Sequence, residues 1–303
     1  MSFNSLITGS SGFLGNALKK KLIENNHEVY ESSTKIANLS NLNNLEIYKN
    51  IKFDFIFHTA AITYPGKNKN DFLFEQFISN QQINTNILNF WHKYQSDAKF
   101  ITFGSSAMYS QEYQMNENNC LMGDPEEQYH VYAMTKRMLL EGLLTASLNK
   151  KMKFIFYVPT IFYGPNFDLN DGHFIYDLIR KIYAGKILGE EVILWGDGSQ
   201  ERDLLYIDDA INIIYSNLKL ENEVINLGTG KNLKIIEYAK IISDYLKYDY
   251  DLIKLDNSKQ IGVQKRNLIF DKLNKLKGLK ELTKIENGLS KTIDFYIKKK
   301  NSN

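Results

Sequence analysis

The stretch NSLITGSSGFLGNALKKKL near the amino terminus constrains the fold more than any other. The run from Ser5 to Thr8 has strand character, Gly9, Gly12 and Gly15 follow, and an amphipathic helical pattern begins near Phe13. A strand that feeds a helix through so short a turn opens a βαβ unit, and with it a parallel sheet. The turn itself has two readings. Glycine, having no Cβ, lets the backbone approach a pyrophosphate, toward which the free N–H groups of the helix start would point. Alternatively the glycines only turn a corner. The spacing is GxxGxxG without the Lys-Ser/Thr of a triphosphate loop, so a dinucleotide fits better than ATP.

The rest of the chain repeats the pattern. Candidate strands at Glu28 to Glu31, Phe53 to His58, Lys99 to Phe103 and Lys153 to Val158 alternate with helix-length segments. This predicts an α/β fold: a Rossmann-type doubly wound parallel sheet with a smaller C-terminal substrate lobe. After Pro159 the texture changes, through a loop with Gly164, Pro165 and Gly172, a helical Phe174 to Ala184, the segment WGDGSQERDLLYIDD and a helical Asn287 to Lys300. The division expected is residues 1–158, with some later segments returning to the sheet, for the dinucleotide, and 159–303 mainly for a substrate. At 303 residues and 43% hydrophobic content, a core of that size is within reach.

Charge and cysteine content narrow the partners. With 37 Lys+Arg against 35 Asp+Glu, the formal charge of +2 gives no electrostatic case for nucleic acid or an anionic membrane. The one cysteine, Cys120, has no internal disulfide partner. No leader-like or membrane-length apolar run is evident, and a cytoplasmic protein is the expectation. The five histidines form no metal-like spacing.

A second constellation points to chemistry. The strand KFITF runs into GSSAMYS, and YHVYAMTKRMLLEG later carries Tyr132 and Lys136 four apart on a helical pattern, hence on one face. An ammonium beside a phenol is expected to favour the phenolate, lowering its pKa toward exchange with an alcohol or ketone. Ser105, at a parallel strand's carboxyl end, lies where open α/β sheets bind ligands, and its hydroxyl would orient the reacting oxygen. Among 19 tyrosines a YxxxK match arises readily by chance. The ordered set of glycine loop, strand-end Ser-Ser and YxxxK does not.

On TGSSGFLG, FDFIFHTAA, GSSAMY, YAMTK, PTIFYGP, GHFIYDLIRK and WGDGSQERDLLYIDD, the chain resembles the extended short-chain dehydrogenase/reductases that act on nucleotide sugars. It is most similar to the GDP-L-fucose synthases and GDP-4-keto-6-deoxy-sugar reductases. The likeness runs from the start to about Asp209 and loosens through INLGTG. It implies catalytic roles for Ser105, Tyr132 and Lys136, with Lys136 also holding the nicotinamide ribose. It further implies that Gly9, Ser11, Gly12, Phe13, Leu14 and Gly15 take the pyrophosphate and that Asn38 and Leu39 lie near the adenine. Ala60, Ala61 and Asn80 would line the cofactor's path, and Pro159 and Ile161 would sit beside the nicotinamide. Ser106, His173, Lys181, Trp195 and Arg202 match substrate-contacting positions. An Arg in a glycine-rich loop is in its own right a good diphosphate ligand, against an ion pair with Asp203 or Glu201. For Trp195 the competing reading is packing between lobes; His173 matches a family histidine that takes part in epimerisation, against an exposed loop histidine. The resemblance also implies a homodimer through the helices Asp71 to Tyr94 and Tyr129 to Leu148, whose apolar stripes would equally serve inside one chain.

Departures from the family's pattern shape the activity expected. Where GDP-L-fucose synthases carry an acid/base cysteine, this chain has Ala107, which cannot shuttle a proton and argues against 3,5-epimerisation by that route. The Asp-Glu pair of the 4,6-dehydratases is also missing, which argues against loss of water. What remains is hydride and proton transfer at C4 of a nucleotide-linked sugar, a GDP-hexose or GDP-heptose, as 4-dehydrogenase or 4-ketoreductase. A 4-epimerase, an epimerase/reductase and a non-catalytic NAD(P)-sensing module are the alternatives; a sensor has no need of Ser105, Tyr132 and Lys136 together. Ile161 stands where relatives carry Asn, which suggests a different sugar. The second strand ends YESSTK and the loop has Ser11, with no arginine for a 2′-phosphate, so the expectation leans to NAD with NADP possible. Glu31 is a candidate for a ribose hydroxyl, and Lys35 for a phosphate.

Overall fold

A computed structural model describes residues 2–63, 72–259, 262–276 and 281–302. In chain order its first half runs β1 (Asn4–Thr8), α1 (Phe13–Glu24), β2 (Glu28–Ser32), β3 (Phe55–His58), α2 (Leu73–Tyr94), β4 (Lys99–Phe103), α3 (His130–Lys150) and β5 (Phe154–Pro159). The second half runs β6 (Ile161–Tyr163), α4 (Phe174–Leu188), β7 (Ile193–Trp195), β8 (Glu201–Tyr206), α5 (Ile207–Ser216), β9 (Glu223–Leu227), β10 (Asn232–Lys234), α6 (Ile235–Leu246), β11 (Lys254–Asp256) and α7 (Ile285–Asn301).

Six strands pair in the order β2-β1-β3-β4-β5-β9, every pair parallel. Parallel strands need crossovers, and the helices that make them cover both faces, so the strands are apolar on both sides. Leu6, Ile56, Phe100 and Phe154 face α2 and α3 with Ile87, Phe90, Trp91 and Leu143. Their neighbours Ile7, Phe57, Ile101 and Ile155 face the other way, against Leu18 and Leu22 of α1 and Ile211 and Ile214 of α5. Emptying one such position, as in Phe100→Ala, costs ~3–5 kcal/mol. The chain leaves β1 for β2 on one side and returns for β3 on the other, so a crevice opens at the carboxyl ends of β1 and β3.

The second half is split between two places. β9 returns to the sheet beside β5, and α5 covers its face next to α1. The remaining elements form β10-β8-β6 and β11-β7, packed with α4, α6 and α7 around Ile179, Ile182, Tyr238 and Ile293. Boundaries shift modestly from expectation. β3 starts at Phe55 because the Phe53 amide donates to Gln95 Oε1 outside the strand ladder. α4 runs on to Leu188, where Gly189 closes it with φ +69°. The expected helix start at Asp71 lies outside the described residues. Among the described residues no helix is long and apolar enough to cross a membrane, and no three His, Cys, Asp or Glu side chains cluster as metal ligands.

Candidate active site

At the head of the crevice the glycine turn is close-packed. Gly9 takes φ +72°, and a Cβ there would lie 2.7 Å from the Ala60 amide nitrogen. A Cβ on Gly15 would lie 2.2 Å from the Gly9 carbonyl oxygen, so the sequence needs glycine at both places. Gly12 caps α1 without a side-chain acceptor, and the first turn carries no acidic residue. The N–H groups of Phe13, Leu14 and Gly15 precede the first i→i−4 bond, made by Asn16 to Gly12, and are available to an anion. The side chains of Phe13 and Leu14 turn into the core. Ser11 and Gly12 are exposed at the rim.

The residues expected along the rest of the cleft divide. Ala60 and Ala61 follow β3 and border the glycine turn. Asn80 is buried, accepts from the Ile62 amide at 2.8 Å and donates to the Ile62 carbonyl at 2.9 Å, and so pins this loop. Asn38 accepts from the Ser40 amide. The Leu39 side chain lies in the main core, and its carbonyl accepts from Asn86 Nδ2. Glu31 is also engaged, 2.5 Å from Lys19 Nζ, which holds its carboxyl below the usual carboxylate range. Strand alternation turns Glu31 to the α1 side with Val29. Lys35 is exposed.

Ser105 leaves β4 partly open to the cleft, and its Oγ accepts from the Ala107 amide at 3.2 Å, starting a tight turn over 106–108. Tyr132 and Lys136 stand one turn apart on α3, with Lys136 Nζ 5.8 Å from the Tyr132 ring centroid. Lys136 is 6% exposed. Burial opposes the electrostatic expectation. Burial pushes the Tyr132 phenol up to about 12 and Lys136 down to about 8, because dry surroundings disfavour both charged forms. Proximity of the ammonium does not by itself make the phenol acidic; further charge or hydrogen bonding at the phenolate is required.

Across the cleft, Ser106, Thr160, Ile161, Arg202, Asn232 and Arg266 line one pocket between the strand ends and the smaller lobe. Ile161 thus lies on this side of the cleft, with Pro159 two residues before it at the end of β5. Arg202 is not paired with Asp203 or Glu201 side chains. It donates to the Glu201 carbonyl at 2.7 Å, while Asp203 accepts from the Thr229 and Gly230 amides and Glu201 meets Lys265 at 2.6 Å. Burial and the nearby Arg266 charge lower the Arg202 pKa. Glu201 and Asp203 line the same pocket, and Arg266 is held by Glu126, so among the described residues Arg202 is the guanidinium there without a carboxylate partner and the one suited to an anion. Further out, Trp195 is 59% exposed with Lys181 Nζ 5.6 Å from its ring, so it is an open platform and not interlobe packing. Lys181 also meets Asp177 at 3.0 Å. His173 is an exposed residue at the start of α4, its Nδ1 2.5 Å from Asp171 Oδ1.

Sequence reasoning missed two features. Arg266 sits in an unremarkable QKRNLIF segment, and only the tertiary fold brings it to Arg202, with Glu126 receiving its Nε and Nη2 at 2.7 and 2.8 Å. The other is a buried chain beneath the cleft. His58 lies 2.7 Å from Thr8 Oγ1 and 3.1 Å from Asn84 Oδ1, and Asn84 Nδ2 donates to the Thr135 carbonyl beside Lys136. Burial takes His58 down to about 3, so it stays neutral and ties β1 and β3 to both long helices.

With that geometry described, likeness to known proteins becomes informative. Residues 5–228 match the model of the "NAD dependent epimerase/dehydratase family". The chain is 28% identical to a GDP-L-colitose synthase of Yersinia pseudotuberculosis, over 98% of this chain and 99% of that protein. It is 28% identical to a GDP-L-fucose synthase of Sinorhizobium fredii, over 96% and 94%. In fold it is similar to a GDP-L-fucose synthetase of Naegleria fowleri solved with NADP, with TM-score 0.86 and 21% identity over 99% and 95% of the two chains.

Proposed function

The chain belongs to the NAD dependent epimerase/dehydratase family, and from that premise we propose that it moves hydride between NAD(P) and C4 of a GDP-linked sugar, as a 4-ketoreductase or 4-dehydrogenase. The observation that carries this reading is the pocket that joins Ser106, beside Ser105, to the guanidinium of Arg202, with Arg266 next to it on Glu126.

The residues fit a dinucleotide: two glycines where a Cβ would collide with backbone, a helix start with free N–H groups, and a buried ammonium at the cleft. The loop from Gly9 to Gly15 would hold the pyrophosphate and Lys136 the ribose hydroxyls. Bound there, the dinucleotide supplies a hydride donor or acceptor. Tyr132 Oη then carries the matching proton, giving it to the C4 oxygen in reduction and taking it in oxidation. Ser105 donates to that oxygen and fixes its direction. Lys136, ammonium below about pH 8, favours the phenolate once a sugar oxygen also bonds it. Arg202 would hold the diphosphate, with Arg266 beside it anchored by Glu126, and Trp195 would offer a face to the base. For the finer choice of cofactor we favour NAD, since the described adenosine end presents Glu31, Ser11 and one exposed lysine, Lys35, with no arginine. A homodimer through α2 and α3 is supported by their outward apolar residues Phe74, Ile78 and Met138.

The test is a panel of GDP-, UDP-, dTDP- and CDP-linked sugars and 4-keto sugars, followed at the nicotinamide band. Turnover restricted to GDP-sugars is expected, and Tyr132→Phe should bind cofactor normally yet lose on the order of 10²–10⁴-fold in kcat. Unchanged turnover in that variant refutes the assignment. Added epimerisation has the His173–Asp171 pair in its favour and Ala107 against it. Deuterium from heavy water appearing at C3 or C5 of the product would establish it.

A further inference from the structure

Arg137 follows Lys136 on α3 and is buried. Its guanidinium spends its donors on backbone carbonyls of the segment between β4 and α3. Nε and Nη2 both donate to the Met108 carbonyl, at 2.9 and 2.5 Å. Nη1 donates to the Gly123 carbonyl at 2.6 Å, and Nη2 also to that of Met122 at 3.0 Å. A planar fork with five fixed N–H groups makes such a set; a lysine does not.

The held carbonyls lead straight to the chemistry. The Met108 amide donates to the Ser105 carbonyl at 2.9 Å, and the Ala107 amide to Ser105 Oγ at 3.2 Å. Below the turn there is no slack, since a Cβ on Gly104 would meet the Phe156 ring at 2.5 Å and Met108 Sδ at 2.6 Å. The strand-end serine and the Tyr132–Lys136 pair come from different elements, joined by a 26-residue connection between Phe103 and His130. Arg137 bonds one to the other directly.

We propose that Arg137 is a positioning residue, a brace that holds Ser105 in register with Tyr132 and Lys136 by fixing the Met108, Met122 and Gly123 carbonyls to the catalytic helix. It touches neither substrate nor cofactor, and its effect on turnover passes through the Ser105 turn. The inference rests on the C4 redox function proposed above.

The experiment compares Arg137→Lys, and Arg137→Gln in case the first does not fold, with the whole protein. Amide hydrogen exchange over residues 105–109 and 122–124 is expected to rise in either variant while the glycine turn stays protected. With a GDP-4-keto sugar, kcat is expected to fall on the order of 10²-fold, with cofactor affinity unchanged. In a Ser105→Ala background the same substitution should cost little more, because the group it positions is already gone. Three results overturn the proposal: exchange unchanged at 105–109, full turnover in the variant, or a loss that multiplies in full with that of Ser105→Ala. If the wild type turns over no nucleotide sugar, the functional reading fails, and the exchange measurement still decides whether the brace exists.

Discussion

Replacing Lys136 by methionine should make the protein more stable while abolishing its activity. Lys136 is pushed from the ordinary lysine value of 10.5 to about 8 by burial alone. At ~1.4 kcal/mol for each pH unit, keeping the ammonium there costs the fold roughly 3 kcal/mol near pH 7. Methionine fills similar space without that cost, so the melting temperature should rise by roughly 5–10 °C in cofactor-free protein. The pH dependence gives the sharper check. Below about pH 8 both folded and unfolded chains carry the lysine proton, and the full penalty stands. Between about 8 and 10.5 the folded chain loses its proton first, so the wild type gains on the variant and the gap closes toward 10.5. Melting curves by circular dichroism from pH 6.5 to 9.5, with and without NAD(P)H, make the comparison below the range in which tyrosines titrate. A variant no more stable than wild type at pH 7, or a gap that does not shrink with rising pH, would refute the reasoning.

Other outcomes follow from particular contacts. Gly15→Ala places a methyl 2.2 Å from the Gly9 carbonyl, so it should lose NAD(P)H binding by fluorescence titration and melt earlier, by the ~1–3 kcal/mol typical of overpacking. Arg202→Met should raise KM for the nucleotide sugar roughly 10- to 100-fold, as loss of charged hydrogen bonds does, with cofactor affinity unchanged. NADH should bind more tightly than NADPH; the reverse order would point to Lys19 and Lys35 as 2′-phosphate partners, and Lys35→Ala would then weaken NADPH alone.

The large lobe was legible because its signals are local. A strand ending in glycines, alternation of apolar runs with helical periods, and a Tyr-Lys pair at helical spacing each declare themselves within ten residues, and β4 was bounded correctly at both ends. Failures came where distant residues decide. Leu39 looks like any loop leucine, yet its side chain belongs to the main core. That Asn80 pins the Ile62 backbone is likewise invisible in the sequence. Spacing reveals the ammonium near the phenol and says nothing of the burial that opposes its effect.

One signal in the composition went unused and bears on the whole site. The chain has only four arginines, Arg137, Arg180, Arg202 and Arg266, among 37 basic residues. A lysine serves where any diffuse positive charge will do, so the scarce guanidinium marks places where a planar, multi-donor fork matters. Two of the four line the pocket proposed for the substrate, and a third ties the serine turn to α3. The fourth, Arg180, donates to the Leu169 carbonyl and lies 3.7 Å from Asp177, on the helix that also presents Lys181 to Trp195. Lysine at these positions would keep the net charge and lose the geometry. Arginine-to-lysine exchange at 137, 202 or 266 should therefore impair turnover out of proportion to any change in stability, whereas removing exposed lysines such as Lys20 should do neither.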